Sequence, residues 1–285
     1  MNSKLDKIAV KFALGCIIPI LIVIAWQLYA QNAKTDSLVP KPYAVWNVLM
    51  HPFEAPDGFQ CKPVGYCAFL SILRMLCGFF LAAITGIMVG VALGVSKTFS
   101  AMFAPVTSAC MAISPLAWIP LAIAFIGTAT PATWFAGDAN AHEYGVLDSL
   151  PFASILIISA GAFFPIALST AQGINQVRTS HIEIAKSFGA TGWQITSKVV
   201  LPSALPSIFT GLRLGAGVAW RVILAAEMFP GTTGGLGYLI QTSQDDIQYA
   251  YAFAGVFMIA FVGIVFDGIM KLIQWKFTGW CKTAN

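Results

Sequence analysis

Six stretches of this chain stay apolar over about twenty residues, the length a helix needs to cross a hydrocarbon layer roughly 30 Å thick. They fall at about 12–30, 66–95, 101–127, 152–173, 208–228 and 250–271. The pattern predicts an all-α, polytopic membrane protein with six transmembrane helices, forming a single transmembrane domain over 1–285. The second and third stretches exceed a simple crossing, which predicts tilt or extension beyond the bilayer. Prolines and glycines inside several spans are tolerable where neighbouring helices satisfy the freed backbone groups. The first run, Phe12 to Ala30, follows Lys4, Lys7 and Lys11 and outlasts a signal-peptide core, with no small-x-small cleavage site at its end. A retained first span is the expectation.

Composition agrees with that pattern. Of 285 residues, 58% are hydrophobic and 10% charged, with a mean hydropathy of +0.77. Soluble domains carry about 25% charged residues, and one water-soluble core of this size could not hide so much apolar surface. The net charge of +4 matters less than its placement. With the N-terminus inside, the inner segments hold ten basic residues: Lys4, Lys7, Lys11, Lys97, Arg178, Lys186, Lys198, Lys271, Lys276 and Lys282. The outer segments hold three, Lys34, Lys41 and Lys62. Positive flanks mark the cytoplasmic side, so both termini are expected in the cytoplasm of a cell with a bacterial-type inner membrane. No basic run interleaved with aromatics points to a nucleic acid partner.

Three loops are long enough to act. Residues 31–65 face outward and hold a short amphipathic piece, Tyr43 to Met50, whose Trp46 suits an interface. Residues 128–149 also face outward, and 174–207 form the one large cytoplasmic loop. Two helix starts are legible in the latter, because Ser180 with Glu183 and Thr191 with Gln194 have capping-box spacing. Gly189 marks the turn between, and Pro202 predicts a stop near Leu201. The expected result is a compact pair of short helices against the membrane face.

This loop resembles the EAA loop in permeases of binding-protein-dependent ABC importers, whose pattern is Glu-Ala-Ala, three residues, Gly, nine residues, Ile-x-Leu-Pro. Glu183 and Ala185 match its first and third positions, Gly189 falls in register, and Leu201-Pro202 close it. Ile184 stands for the middle alanine and Val199 for the isoleucine. Ser114–Pro120, Thr210–Trp220, Ala225–Met228 and Gly235–Tyr238 are similar to the nitrate, sulfonate, taurine and bicarbonate branch, while 128–149 is longer than in a sulfonate-type member. The resemblance implies a type I importer permease fold, with Glu183, Ala185, Gly189, Leu201 and Pro202 in a coupling element docked on a separate ATPase. It further implies a second permease copy, in a homo- or heterodimer, and an extracytoplasmic solute-binding protein. No P-loop occurs, so this chain needs no cofactor of its own, and ATP with magnesium would sit on the partner. A permease for another small solute, or a stand-alone secondary transporter or channel, are the competing readings.

Ionisable residues within spans are expensive and face protein or water. Arg213, Trp220 and Glu227 recur every seven residues, within about 40° of one another on one helix face. Together with Arg221 on the flank, they are candidates for an anion path. Alternatively, Arg213 snorkels to the cytoplasmic interface and Glu227 caps the outer helix end. Arg74 and Asp267 read as interfacial anchors. Gly78, Ala82, Gly86, Gly90 and Gly94 recur every fourth residue, which predicts a smooth ridge for close helix packing. Cys61 and Cys67 lie where a disulfide is chemically allowed, with two free thiols as the plainer reading. Asp138, His142 and Glu143 form a weak metal-like cluster, for which a solvated loop is the simpler account.

Overall fold

The structure is a computed structural model that describes residues 17–18, 20–31, 39–54, 61–127, 129–136, 145–146, 148–228 and 232–278. Among these residues it is helical, with no strand. Helix α1 covers Ile20–Gln31, α2 Pro42–Met50, α3 Val64–Val95 and α4 Lys97–Ala112. A 3-10 turn, Pro115–Trp118, leads into α5 (Ile119–Ile126) and α6 (Pro131–Ala136). Then come α7 (Phe152–Asn175), α8 (Thr179–Ser187), α9 (Gly192–Ile195), α10 (Leu201–Glu227), α11 (Leu236–Asp245) and α12 (Tyr249–Thr278).

Among the described residues, five segments are long and apolar enough to cross a membrane: Val64–Val95, Pro115–Trp134, Phe152–Asn175, Gly192–Glu227 and Tyr249–Thr278. The stretch expected as a first span contributes the shorter apolar helix α1, so the described residues do not establish a count of six.

The expected third span is interrupted. Helix α4 stops at Ile113, and the chain restarts at Ser114, whose hydroxyl accepts from the Leu116 N–H (3.4 Å) ahead of Pro115. A second departure concerns Pro202, which was expected to end a helix near Leu201. Instead the chain runs helically from Gly192 to Glu227. Between α9 and α10, Thr196–Val200 form a π-helical turn, in which the Leu201 N–H donates to the Thr196 carbonyl. Proline clashes with the carbonyl four residues back, here that of Lys198. That carbonyl lies inside the wider π turn, which relieves the clash without breaking the rod.

Helix α7 is the centre of the bundle, packed between α3 and α10. The predicted ridge makes this possible. A Cβ on Gly78 would lie 2.7 Å from the Ile158 side chain, and one on Gly90 2.6 Å from the Ala167 carbonyl oxygen. Gly211 and Gly215 of α10 meet Ser169 and Ile166 on the other side of α7 in the same way. Helix α12 is different, because Phe261, Ile264 and Leu272 stand exposed along it. That is the composition of a lipid-facing wall. Trp26 of α1 stacks on Phe253 and Phe257 of α12 at 5.5 and 6.0 Å.

Candidate functional site

The loop between α7 and α10 is a rigid hinge. Helix α8 starts at Thr179 behind Arg178 with no side-chain cap, so the capping box expected at Ser180 does not form. The second one does: the Thr191 hydroxyl accepts from the Gln194 backbone N–H (3.4 Å), and the Gln194 side-chain Oε1 accepts from the Thr191 backbone N–H (2.9 Å). Between them Gly189 adopts φ +75°, the left-handed conformation that ends α8. Its N–H donates to Lys186 and the Ala190 N–H to Ala185, the paired bonds of a Schellman turn.

Ala185, Ala190, Ile182 and Leu201 pack against a buried cluster of Ile174, Ile195, Val200, Ala204 and Ile208. The hinge is therefore seated on the ends of α7 and α10. Its outer surface is bare: Glu183 and Gly189 are exposed, with Ile184 at 57%, Phe188 at 87% and Trp193 at 79%. Large apolar groups at a polar chain reversal are what a protein partner covers.

At the opposite end of the bundle lies a buried ion pair. Arg74 of α3 and Glu227 of α10 are both 0% exposed and meet at 2.7 Å. Arg74 was expected as an interfacial anchor. Its guanidinium instead also donates to the carbonyls of Ser149 and Gly234, each at 2.7 Å, and of Thr233 at 3.4 Å. The Glu227 carboxylate accepts from the Ser71 hydroxyl (2.8 Å) and the Gly237 N–H (3.0 Å). Ser71 in turn accepts from the Leu236 N–H (2.9 Å). Glu227 and Ser71 thus cap the start of α11, where Gly235 supplies no side chain, and the carboxylate complements the helix dipole. Gly235 sits at φ +117°, and a Cβ there would overlap the Glu227 carboxylate. One centre ties α3, α10, α11 and the segment leading into α7 together. The i, i+3 spacing of Ser71 and Arg74 is present in the sequence, but nothing local identifies Glu227, 153 residues from Arg74, as their partner.

The four residues considered for an anion path are divided. Trp220 is 7% exposed, and its indole N–H donates to the Ile259 carbonyl of α12 at 3.3 Å. Arg213 pairs with Asp267 at 2.9 Å, rather than snorkelling alone, and Lys271 meets the same carboxylate at 2.7 Å. Glu227 belongs to the buried centre. Arg221 is exposed, on a stripe with Leu214, Gly217 and Met228. One turn away, Val218 helps line an apolar cavity of about 180 Å³ with Met111, Ile113, Pro115, Trp118 and Gly161. The break in the third span thus lines a cavity that meets α10 at Val218. Irregular backbone at membrane depth is tolerated where it is buried in protein or lines a cavity. Asp138, His142 and Glu143 lie outside the described residues, and among those described no three metal-binding side chains gather.

Comparison with known proteins agrees with this architecture. A putative ABC transporter permease protein of Methanocaldococcus jannaschii is 35% identical over 265 residues, covering 93% of this chain and 91% of its own. The taurine transport system permease protein of Escherichia coli is 28% identical over 261 residues, covering 92% and 86%. The bicarbonate transport system permease protein of Synechococcus elongatus is 29% identical over 279 residues, covering 96% and 90%. Among solved structures, the inward-facing MetNI methionine ABC transporter has a chain that superposes with a TM-score of 0.57 at 19% identity, covering 74% of this chain and 94% of that one; at this identity the likeness concerns the fold. Residues 82–278, from the ridge of α3 to the end of α12, match the model of one family. With helices, hinge and match in agreement, this chain belongs to the family of binding-protein-dependent transport system inner membrane components.

Proposed function

We propose that this permease carries a small anion of the nitrate, sulfonate, taurine or bicarbonate class and is driven through the Glu183–Pro202 hinge by a separate ATPase. As a membrane component it has no ATPase site of its own, and ATP with magnesium belongs to the partner. The carrying observation is mechanical. A capped hinge presents Phe188 and Trp193 to solvent, and it continues without a break from Gly192 to Glu227. A push on the exposed surface therefore reaches the far end of the span through one rod. Glu183 and Gly189 meet the ATPase, Ala185 and Leu201 seat the hinge on the bundle, and Pro202 sits at the π turn that joins hinge to shaft.

Both termini and the hinge lie in the cytoplasm on this reading, and the Arg74–Glu227 end faces outward, towards a solute-binding protein. A second permease copy, identical or related, covers the exposed stripe of α10 and completes the path. Arg221 is the anion-contacting residue on it, since a guanidinium offers a fork of donors to a carboxylate- or sulfonate-like group. Arg213, Trp220 and Glu227 support that face from behind. The relatives named for taurine and bicarbonate support the substrate class. Importing an anion against an inside-negative potential costs about 2.3 kcal/mol per charge per 100 mV, which requires an energy source.

The test is co-purification and uptake. Gly189→Val forces a β-branched residue into the left-handed region, at a cost of about 1–2 kcal/mol, and puts a side chain on the docking surface. It should insert normally, lose the ATPase on purification and lose uptake, whereas Gly189→Asn should retain much of both. Normal ATPase association and uptake in Gly189→Val would refute the coupling role. Uptake in reconstituted vesicles without any ATPase would favour a stand-alone transporter. Competition by nitrate, taurine and bicarbonate in a deletion strain identifies the solute.

A further inference from the structure

Two cysteines lie against the buried centre at the outer end. Cys61 precedes α3 and is 6% exposed, and Cys67 in the first turns of α3 is 0% exposed. Both are free thiols in this structure and belong to one buried cluster, in which the Cys67 thiol donates to the carbonyl of Lys62, the residue that follows Cys61, at 3.4 Å. The segment they bracket is held in place from both sides. The Gly65 N–H donates to the Pro52 carbonyl at 2.7 Å, and the Lys62 ammonium lies 4.9 Å over the Tyr66 ring. The Lys62 stem covers Gly234, whose carbonyl accepts from Arg74. The Cys61–Cys67 segment is thus part of the roof that separates the Arg74–Glu227 pair from solvent.

We infer that Cys61 and Cys67 are joined by a structural disulfide in the mature permease, a staple that keeps this roof closed. The inference rests on the outward orientation proposed above, because only that side of the membrane favours disulfides. An extracytoplasmic thiol–disulfide oxidoreductase supplies the oxidising equivalent. One cysteine thiolate attacks the carrier's disulfide and releases one carrier thiolate. The other cysteine then attacks the mixed disulfide, forming the Cys61–Cys67 bond and releasing the second. The two protons lost by the permease thiols end on the reduced carrier. In the folded chain the contact with Cys67 and burial hold the Cys61 thiol above the usual thiol range, where it reacts slowly. Exchange therefore takes place during insertion, before the roof closes, and the bond is shielded afterwards.

The experiment uses the full chain co-expressed with its ATPase, acid-quenched from cells and unfolded before alkylation. The expected result is that Cys61 and Cys67 take label only after reduction, while Cys77 and Cys110 take it either way. The peptide holding both should be two hydrogens lighter before reduction. Cys61→Ser, Cys67→Ser and the double variant should lower the temperature of thermal inactivation equally, since each removes the same bond. An epitope inserted after Asp57 and read on intact spheroplasts reports orientation independently. Labelling of both thiols without reduction, with the epitope outside, overturns the disulfide alone. The same labelling with the epitope inside overturns the orientation and the disulfide together.

Discussion

Removing one partner of the Arg74–Glu227 pair should destabilise the permease more than removing both. The Glu227 carboxylate takes bonds from Ser71, Arg74 and Gly237, and Arg74 keeps three carbonyl acceptors if the carboxylate is lost. Carbonyls solvate a guanidinium but do not neutralise it. Glu227→Gln preserves size and leaves Arg74 charged at 0% exposure, facing an amide that brings its own donors. Breaking a buried pair from one side costs about 3–5 kcal/mol. That is a large share of the 5–15 kcal/mol that typically separates folded from unfolded protein. Arg74→Met should cost a similar amount by stranding the carboxylate.

The double variant Arg74→Met/Glu227→Leu removes both desolvation costs and substitutes apolar contact, so it should recover much of the loss. Its remaining deficit should be the capping of α11, about 1 kcal/mol. The assay is the fraction of detergent-solubilised complex that stays monodisperse after graded heating, for wild type, both single variants and the double. Additive losses, with the double variant worst, would falsify the view that charge pairing is what these residues contribute. Single variants as stable as wild type would refute the buried geometry itself.

Three further outcomes follow from named contacts. Gly90→Ala places a Cβ 2.6 Å from the Ala167 carbonyl oxygen, a backbone atom that cannot swing aside. It should cost about 1–3 kcal/mol, read as a lower inactivation temperature, whereas Ala at the open Gly217 should cost far less. Ile247, exposed after α11 at φ +60°, is a strained position for a β-branched residue, so Ile247→Gly should gain about 1 kcal/mol in the same assay. Arg221→Ala should leave the complex assembled yet weaken anion uptake about 10–100-fold, the worth of one charge-assisted hydrogen-bonding contact. Arg221→Lys should fall between, and unchanged uptake in the alanine variant would remove Arg221 from the path.

How much was legible differs from residue to residue. The ridge from Gly78 to Gly94 was readable because a period of four is a property of one helix, and any neighbour must then come close. Thr191 with Gln194 was readable because a capping box closes within four residues. Ser180 with Glu183 has the same spacing and forms no box, since α8 begins at Thr179 and leaves Ser180 inside the helix. Pro202 does not end the helix as its usual local effect predicts, because the π turn around Lys198 absorbs the clash. Glu227 is expected from the sequence either on an anion path or as a cap for the outer end of its own helix; the carboxylate caps the helix that follows.

The apolar runs, the bias of basic residues to one set of loops and the hinge motif were set by the chain itself, because each depends on composition, on transfer into lipid or on bonds within a few residues. Tertiary structure alone decided which charges are buried and which are open. Arg74 meets a partner 153 residues away, while Arg221, one residue beyond buried Trp220, faces outward. A buried charge is stable only where donors and acceptors from several elements converge on it, and that convergence is a property of the packed bundle. No window along the sequence contains it.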